Sequence, residues 1–318
     1  MNNMKDSMML YGVTLGERRK KKSKAAFASY IKEKYEELGY SVRLDSIRTK
    51  YMTLNNIYAG DIDGAEIIIA AAYDTASRVF IPGYRYYPFH RSRTIGQERW
   101  NLLLMFLAAL LMTLVLGFCT FQYTNDNGPE KIAIGIIAVI LTGMILKWFT
   151  GFSNRFNFNR NSASLAVMEQ VAGSLSESGT VAFAFLDNTA SSYDGIKKML
   201  ENPLKARAVV ILDCISSGEI LVAGHGKEGK AETERMISDS NIQEMVDKCY
   251  TTEKKEQNAL NLSEKIIYLT SGKIRKGDLV VEGTRSRKDI QVNMERLGKI
   301  SNMLKEYVER TGKSQVNI

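Results

Sequence analysis

The sequence predicts an α/β protein, a three-layer sandwich around a mixed, largely parallel central sheet, interrupted by a two-helix transmembrane hairpin. Three observations predict it. The apolar runs Glu66–Ala72 (EIIIAAA), Thr180–Leu186 (TVAFAFL) and Ala208–Leu212 (AVVIL) have strand length and no polar alternation, as strands covered on both faces do. Segments of helical period lie between them, the rhythm of an α/β sheet. Two longer apolar runs, Asn101–Phe121 and Ile132–Leu146, carry no charge and sit in the middle of a chain that otherwise reads as water-soluble.

Taken in order, the basic run Arg18-Arg19-Lys20-Lys21-Lys22 with Lys24 marks residues 1–24 as a basic N-terminal segment. It is either a solvated helix start or a patch for anionic headgroups. Phe27, Ile31, Tyr35 and Leu38 then share one face of a helix that stops at Gly39. Strands are predicted near Tyr40–Ile47 and Leu54–Ala59, with a turn at Asp61–Gly64 before the run ending at Ala72. Phe80–Phe89 (FIPGYRYYPF) reads as an interfacial linker on the membrane surface, or as a peptide-binding lip. After the hairpin come a helix over Ser162–Leu175, the strand 180–186, a helix over Tyr193–Leu200, and the strand 208–212. A further helix over 230–250, strands near Lys265–Leu269 and Asp278–Val281, and a closing helix Val292–Glu309 complete the pattern. Neither half holds enough strands to close a core, so 25–75 and 156–312 are expected to form one discontinuous domain, with 76–155 as the insertion.

The hairpin is read from length and flanks. At 1.5 Å per residue the first run spans about 31 Å, close to the roughly 30 Å hydrocarbon core of a bilayer. The predicted spans are 101–121 and 132–149, joined by a ten-residue turn. Trp100 and Trp148, the two tryptophans of the chain, fall at the open end of the hairpin, as an aromatic belt requires. Arg78, Arg85, Arg91, Arg93, Arg99, Lys147, Arg155 and Arg160 crowd the same side, while Asp126, Glu130 and Lys131 mark the other. The positive-inside rule then places both termini in the cytoplasm and the chain in the cell membrane, with the bilayer as one partner. Ala109, Thr113 and Gly117, with Gly135 and Gly143, offer small faces for close helix approach. The alternative is a pair of buried core helices.

Composition narrows the class. The net charge of +8 is concentrated beside the apolar runs and in residues 18–24, with no interleaved aromatics, which argues against nucleic acid. The first twenty-five residues lack an apolar signal-peptide core. Cys119, Cys214 and Cys249 have neither metal nor redox spacing, which fits a reducing compartment.

Several stretches carry a resemblance: "LGYSVRLDSI…NNIYAGDIDGAEIIIAAAYDT", "NSASLAVMEQVAGSL", "VAFAFLDNTASSYDGIKKML", "ARAVVILDCIS" and "EGTRSRKDIQVNMERLGKI". In order and character they resemble the domain of the M28 zinc aminopeptidases, a fold that also includes glutaminyl cyclases. That resemblance implies a pair of zinc ions held by two His, a bridging Asp, a further Asp and a Glu, with a neighbouring Glu as general base. Here Ala72 stands at the first His position, with Asp74 two residues on, and the bridging Asp falls at Arg160 or Asn161. The Glu-Glu pair becomes Thr189-Ala190, Asp213 is kept, and the last His falls near Gly283. A zinc pair needs several N or O donors converging on each metal, and the chain has only two histidines, His90 and His225. No metal, cofactor or catalytic residue is therefore assigned.

Asp74, Arg160, Asn161, Asp187, Thr189, Asp213 and His225 are the residues expected around a degenerate cleft, where each Asp otherwise caps a turn or helix. Trp100 and Trp148 are the expected membrane-interface residues. The expected function is a membrane-embedded, non-catalytic M28 homologue that binds or scaffolds a peptide or a membrane protein at the cytoplasmic face. The alternative is a membrane-bound metallo-aminopeptidase-like hydrolase with a reduced metal site.

Overall fold

Ten strands pair into one sheet in the order β1-β2-β5-β3-β6-β9-β10-β4, with β7 on β9 and β8 on β7. They are β1 Val42–Arg48, β2 Thr53–Ala59, β3 Ile67–Ala72, β4 Arg85–Tyr86, β5 Val181–Leu186, β6 Ala208–Leu212, β7 Ile220–His225, β8 Met245–Cys249, β9 Ile266–Arg275 and β10 Asp278–Glu282. The computed structural model describes residues 2–48, 53–125, 128–175, 179–238, 240–250 and 258–316. The centre of the sheet, β5-β3-β6-β9, is parallel. Antiparallel β1-β2 and β10-β4 extend its two sides. The sheet draws strands from both sides of the hairpin, because β3 lies between β5 and β6.

The unbroken apolar runs are explained by the layers. Ile67 and Ile69 join one buried cluster with Ile31 of α2 (Lys21–Glu37), Val171 of α5 (Ala163–Ser174) and Leu304 of α9 (Met294–Val316). Ile68 and Ala70, pointing the other way, join a second cluster with Ile196 of α7 (Asp194–Met199) and Leu260. The sheet is thus apolar on both faces and covered on both.

Four expectations change. Residues 230–250 do not form one helix: α8 (Lys230–Ile237) ends, and Met245–Cys249 pairs parallel to β7 as β8. Hydrogen bonds to the exposed edge of β7 outweigh the helical period of this stretch. Phe80–Phe89 is no free surface linker, since Arg85–Tyr86 pairs with β10 and Tyr84, Tyr86 and Phe89 are buried. Lys20, Lys21 and Lys22 are the exposed start of α2, as one of the two readings has it, but the chain ahead of them is packed into the domain. Helix α1 (Asn2–Met9) inserts Met4 and Met8 into the main core, followed by Tyr11, and Arg18 is fully buried. Finally, β9 runs ten residues, to Arg275, and turns into β10 through Lys276 and Gly277, both at positive φ (51° and 86°), the backbone of a tight hairpin.

Helices α3 (Arg91–Asn125) and α4 (Glu130–Thr150) form the hairpin and are long and apolar enough to cross a membrane. They are not covered by the rest of the chain: 6% of the apolar window of α3 is buried and none of that of α4. Gly117 and Gly143 do not hold the pair together, because a side chain there would meet nothing within 4 Å, whereas Gly135 faces the Tyr123 ring of α3, 3.4 Å from where a Cβ would sit. Ala109 is buried, and the contact at the open end is polar, with Trp148 Nε1–H donating to Met105 O at 2.8 Å. Asp126, assigned to the closed end, lies outside the described residues.

Candidate functional site: three strand-end aspartates and three basic side chains

Adjacent parallel strands β5, β3 and β6 end at one edge of the sheet, the edge where α/β folds place ligands. Each is followed by an aspartate: Asp187, Asp74 and Asp213, all buried. A basic side chain of the same chain is set against each of them.

Asp213 receives Arg160. Phe158–Ser162 forms a wide helical turn ahead of α5 and points the guanidinium inward, where Nη1 pairs with Asp213 Oδ1 and the plane lies 3.9 Å from the Tyr86 ring centre. The second carboxylate oxygen accepts the hydroxyls of Tyr86 (2.8 Å) and Tyr268 (2.6 Å). Burial opposes the charge on Arg160 most strongly, but Asp213, Tyr86, Cys214 and Tyr268 together more than offset it and hold the guanidinium above its ordinary pKa. Both tyrosines are pushed well above theirs, Tyr268 by burial and by Asp213, Tyr86 by burial foremost. Cys214, next in the chain at φ 55°, is fully buried, and burial with the Asp213 charge pushes its thiol well up. That is the opposite of an activated nucleophile.

Asp187 receives Lys24. The ammonium at the start of α2 sits 2.5 Å from Oδ1, and the carboxylate also accepts the backbone N–H groups of Asn188 (2.8 Å) and Asn55 (3.1 Å). Asp74 accepts the Thr189 backbone N–H at 3.0 Å and lies in the field of Arg18. Arg18 Nε–H donates to Tyr73 O at 2.6 Å, and Nη1 donates to Tyr11 O at 2.7 Å and to Leu15 O. Burial lowers its pKa to about 10, so the guanidinium remains charged at neutral pH.

Arg160 and Asn161, adjacent in the chain, do two different jobs. Arg160 neutralises Asp213, while the Asn161 amide donates to Ala72 O and Asp74 O, both at 3.0 Å, and ties down the end of β3. Thr189 contributes its backbone, and its hydroxyl turns back to Asp187 O at 3.1 Å. His225 does not join the site. It lies in β7 opposite Ile267, at the start of β9, away from the end of β6 where Asp213 sits. There its Nε2 is 2.8 Å from Asp247 Oδ1 on β8. The Gly-His-Gly sequence suggested a loop, but pairing with β9 on one side and β8 on the other makes it a strand inside the sheet.

The donor set does not fit a zinc pair. Among the described residues no three His, Cys, Asp or Glu side chains converge, and the carboxylates at the strand ends are already engaged by cations. A dication beside Arg160 would face full Coulomb repulsion in a poorly screened interior.

Sequence reasoning missed Lys24, Arg18, Tyr86, Tyr268 and Asp289. Asp289 Oδ1 accepts the Asn159 backbone N–H at 2.9 Å, and burial raises the carboxyl from 3.8 to about 7. A raised folded pKa means that the unfolded chain loses this proton first. Stability therefore falls between about pH 4 and pH 7 and levels off above, by on the order of 4 kcal/mol. Asp289→Asn is expected to flatten that slope, as read by melting temperatures of the detergent-purified protein between pH 4 and 8. An unchanged slope refutes the assignment.

Beside this centre a cleft of about 1040 Å³ opens between residues 78–85 and 282–291, with Asn159 and Asp289 in its wall. Its 78–85 wall is bound to the base of the hairpin. The Phe80 N–H donates to Asn101 Oδ1 at 2.8 Å, and the Phe80 ring stacks on Trp148 with centres 5.3 Å apart. Trp100, on the same end of the hairpin, is 68% exposed.

No protein-family model matches the sequence, and none of the curated proteins is similar to it. Solved structures share its fold. A glutaminyl cyclase of Macrostomum lignano superposes with a TM-score of 0.58 at 11% identity, covering 98% of this chain and 88% of that one. The glutaminyl cyclase of Porphyromonas gingivalis gives 0.57 at 11%, covering 98% and 96%. The LapA aminopeptidase of Legionella pneumophila gives 0.55 at 11%, covering 98% and 71%.

Proposed function

We propose that this chain is a membrane-embedded, non-catalytic relative of the M28 peptidases that binds or scaffolds a peptide or protein at the cytoplasmic membrane face. The observation that carries the reading is the set of internal ion pairs at the strand ends. Arg160 on Asp213 and Lys24 on Asp187, with Arg18 beside Asp74, supply from within the chain the positive charge that metal ions supply to carboxylates in a metallohydrolase. The shared fold of glutaminyl cyclases and an aminopeptidase supports the ancestry. The two uncovered apolar helices support the membrane placement, since more than thirty ångströms of apolar surface otherwise meets water.

Two measurements test the two halves. Metal analysis of the purified protein is expected to find no stoichiometric zinc, with neither aminopeptidase nor glutaminyl cyclase turnover. Tightly bound zinc whose removal abolishes activity would mean a surviving hydrolase instead. For the placement, a cysteine at Asn125 is expected to react with an impermeant reagent from outside intact cells, and one at Lys22 only after permeabilisation. The reverse pattern overturns the cytoplasmic assignment.

A further inference from the structure

The cleft between residues 78–85 and 282–291 is predominantly basic. It is lined by Arg78, Arg85, Arg285, Arg287 and Lys288 against two acids, both of them engaged. Glu282 is shared by Arg85 (3.8 Å) and Arg275 (2.9 Å), and Asp289 is buried and bonded to the Asn159 backbone. Arg285 is also engaged, by Glu98 on α3. Arg287 and Lys288 are exposed, Arg78 is half-buried, and none of the three has an ion-pair partner among the described residues.

The rest of the lining mixes the polar Asn159, Ser217, Thr284, Ser286 and Gln291 with a few apolar side chains. Ile81 and Pro82 sit on one side and Ile290, 55% exposed, on the other. The position is equally specific. The backbone N–H of Arg78 donates to Phe152 O at 2.9 Å, and Phe152 packs edge-on against Trp148, which ends the second apolar helix. Basic groups, exposed apolar side chains and the base of a hairpin therefore meet in one opening.

We propose that this cleft binds the phosphate headgroup of an anionic membrane lipid, with Arg78, Arg287 and Lys288 around the phosphate and Ile81, Pro82 and Ile290 against the glycerol and first acyl carbons. The inference rests on the membrane placement of α3 and α4, and not on the absence of catalysis. Charge complementarity selects an anion, and the wall shared with the hairpin base selects one held in the bilayer over a soluble one. Each basic side chain near an anionic lipid surface is worth about a fivefold gain in affinity, so three converging groups discriminate an anionic from a zwitterionic headgroup.

The test uses the full chain purified in a neutral detergent, titrated calorimetrically with short-chain phosphatidylglycerol, short-chain phosphatidylcholine, inorganic phosphate and an acidic peptide. Phosphatidylglycerol is expected to bind, and phosphatidylcholine is not. Arg287→Glu with Lys288→Glu is expected to weaken phosphatidylglycerol about tenfold or more. Arg78→Gln gives a smaller loss, and Lys21→Glu with Lys22→Glu, on the exposed start of α2, leaves binding intact. Unchanged melting temperatures separate lost binding from lost folding, and the single Arg78 variant decides the matter if the double variant does not fold. Equal binding of both lipids, or full binding by the Arg287/Lys288 variant, overturns the proposal. So does displacement of the lipid by equimolar inorganic phosphate or acidic peptide, which assigns the cleft to a soluble anion or a peptide. Because the titration is run in detergent, a wrong topology shows in the Asn125 labelling and not here.

Discussion

Arg160→Leu is expected to cost about 3–5 kcal/mol of stability, while Arg160→Leu combined with Asp213→Leu recovers part of it. The asymmetry follows from burial. Arg160 and Asp213 are 6% and 8% exposed at their side chains, so removing the cation strands a carboxylate in a medium that cannot solvate it. The hydroxyls of Tyr86 and Tyr268 still reach Asp213, which softens the loss without supplying charge. Removing both ions also removes the desolvation cost, but it takes the acceptor from the buried Tyr86 and Tyr268 hydroxyls, which keep only each other at 3.4 Å, so the recovery is partial. Chemical denaturation of the four species of the double-mutant cycle in detergent measures the coupling. If the single variant is as stable as the parent, the pair is not buried as described, and the reading of the centre as internally neutralised falls with it.

Arg18→Met is expected to cost a similar amount, about 3 kcal/mol or more, for a different reason. Its guanidinium donates to three main-chain carbonyls, of Tyr11, Leu15 and Tyr73, and so ties the N-terminal segment to the end of β3. Methionine fills the space but leaves these acceptors unsatisfied, at about 1–3 kcal/mol for each one that water cannot reach. The damage should concentrate at the N-terminus. Hydrogen exchange is expected to rise in residues 4–18 and at Tyr73–Thr75, where the Thr75 N–H bonds to Arg18 O at 3.2 Å, and to leave β6 and β9 unchanged. Uniform loss of protection would show that Arg18 stabilises the whole core and not this junction. Arg18→Lys, which keeps the charge but not the fork of donors, should restore only part of the loss.

The two variants bear on how these cations look in the sequence. Arg18 and Lys24 stand in a run of six basic residues and carry no local mark of burial. Lys20, Lys21 and Lys22 are exposed, as the run suggests, while their neighbours reach the ends of β3 and β5. Charge runs report composition, and only chain direction decides which member turns inward. Arg160 was legible as an anomaly, a cation where the resemblance implies a carboxylate, but its partner was not. Tyr86 and Tyr268 are separated by 182 residues and meet at one carboxylate oxygen, a contact no local pattern encodes. His225 misled for the converse reason: glycines on both sides signal a loop, yet β9 offers an antiparallel edge that makes the segment a strand.

By itself the sequence determined the central strands, the helices α2, α5, α7 and α9 that cover them, the two long apolar helices and the scarcity of side chains able to hold a metal. Those follow from hydrophobic period, run length and residue chemistry, which are local quantities. The tertiary structure alone decided which basic side chain meets each strand-end aspartate. Whether a buried aspartate stays ionised depends on which cation lies within a few ångströms, and Coulomb energy in a dry interior falls with distance in space, not along the chain. The same reason put Arg78, Arg287 and Lys288 around one cleft at the base of the hairpin: more than two hundred residues apart in sequence, they are brought together by the bond from Val79 N–H to Arg285 O that closes the cleft wall.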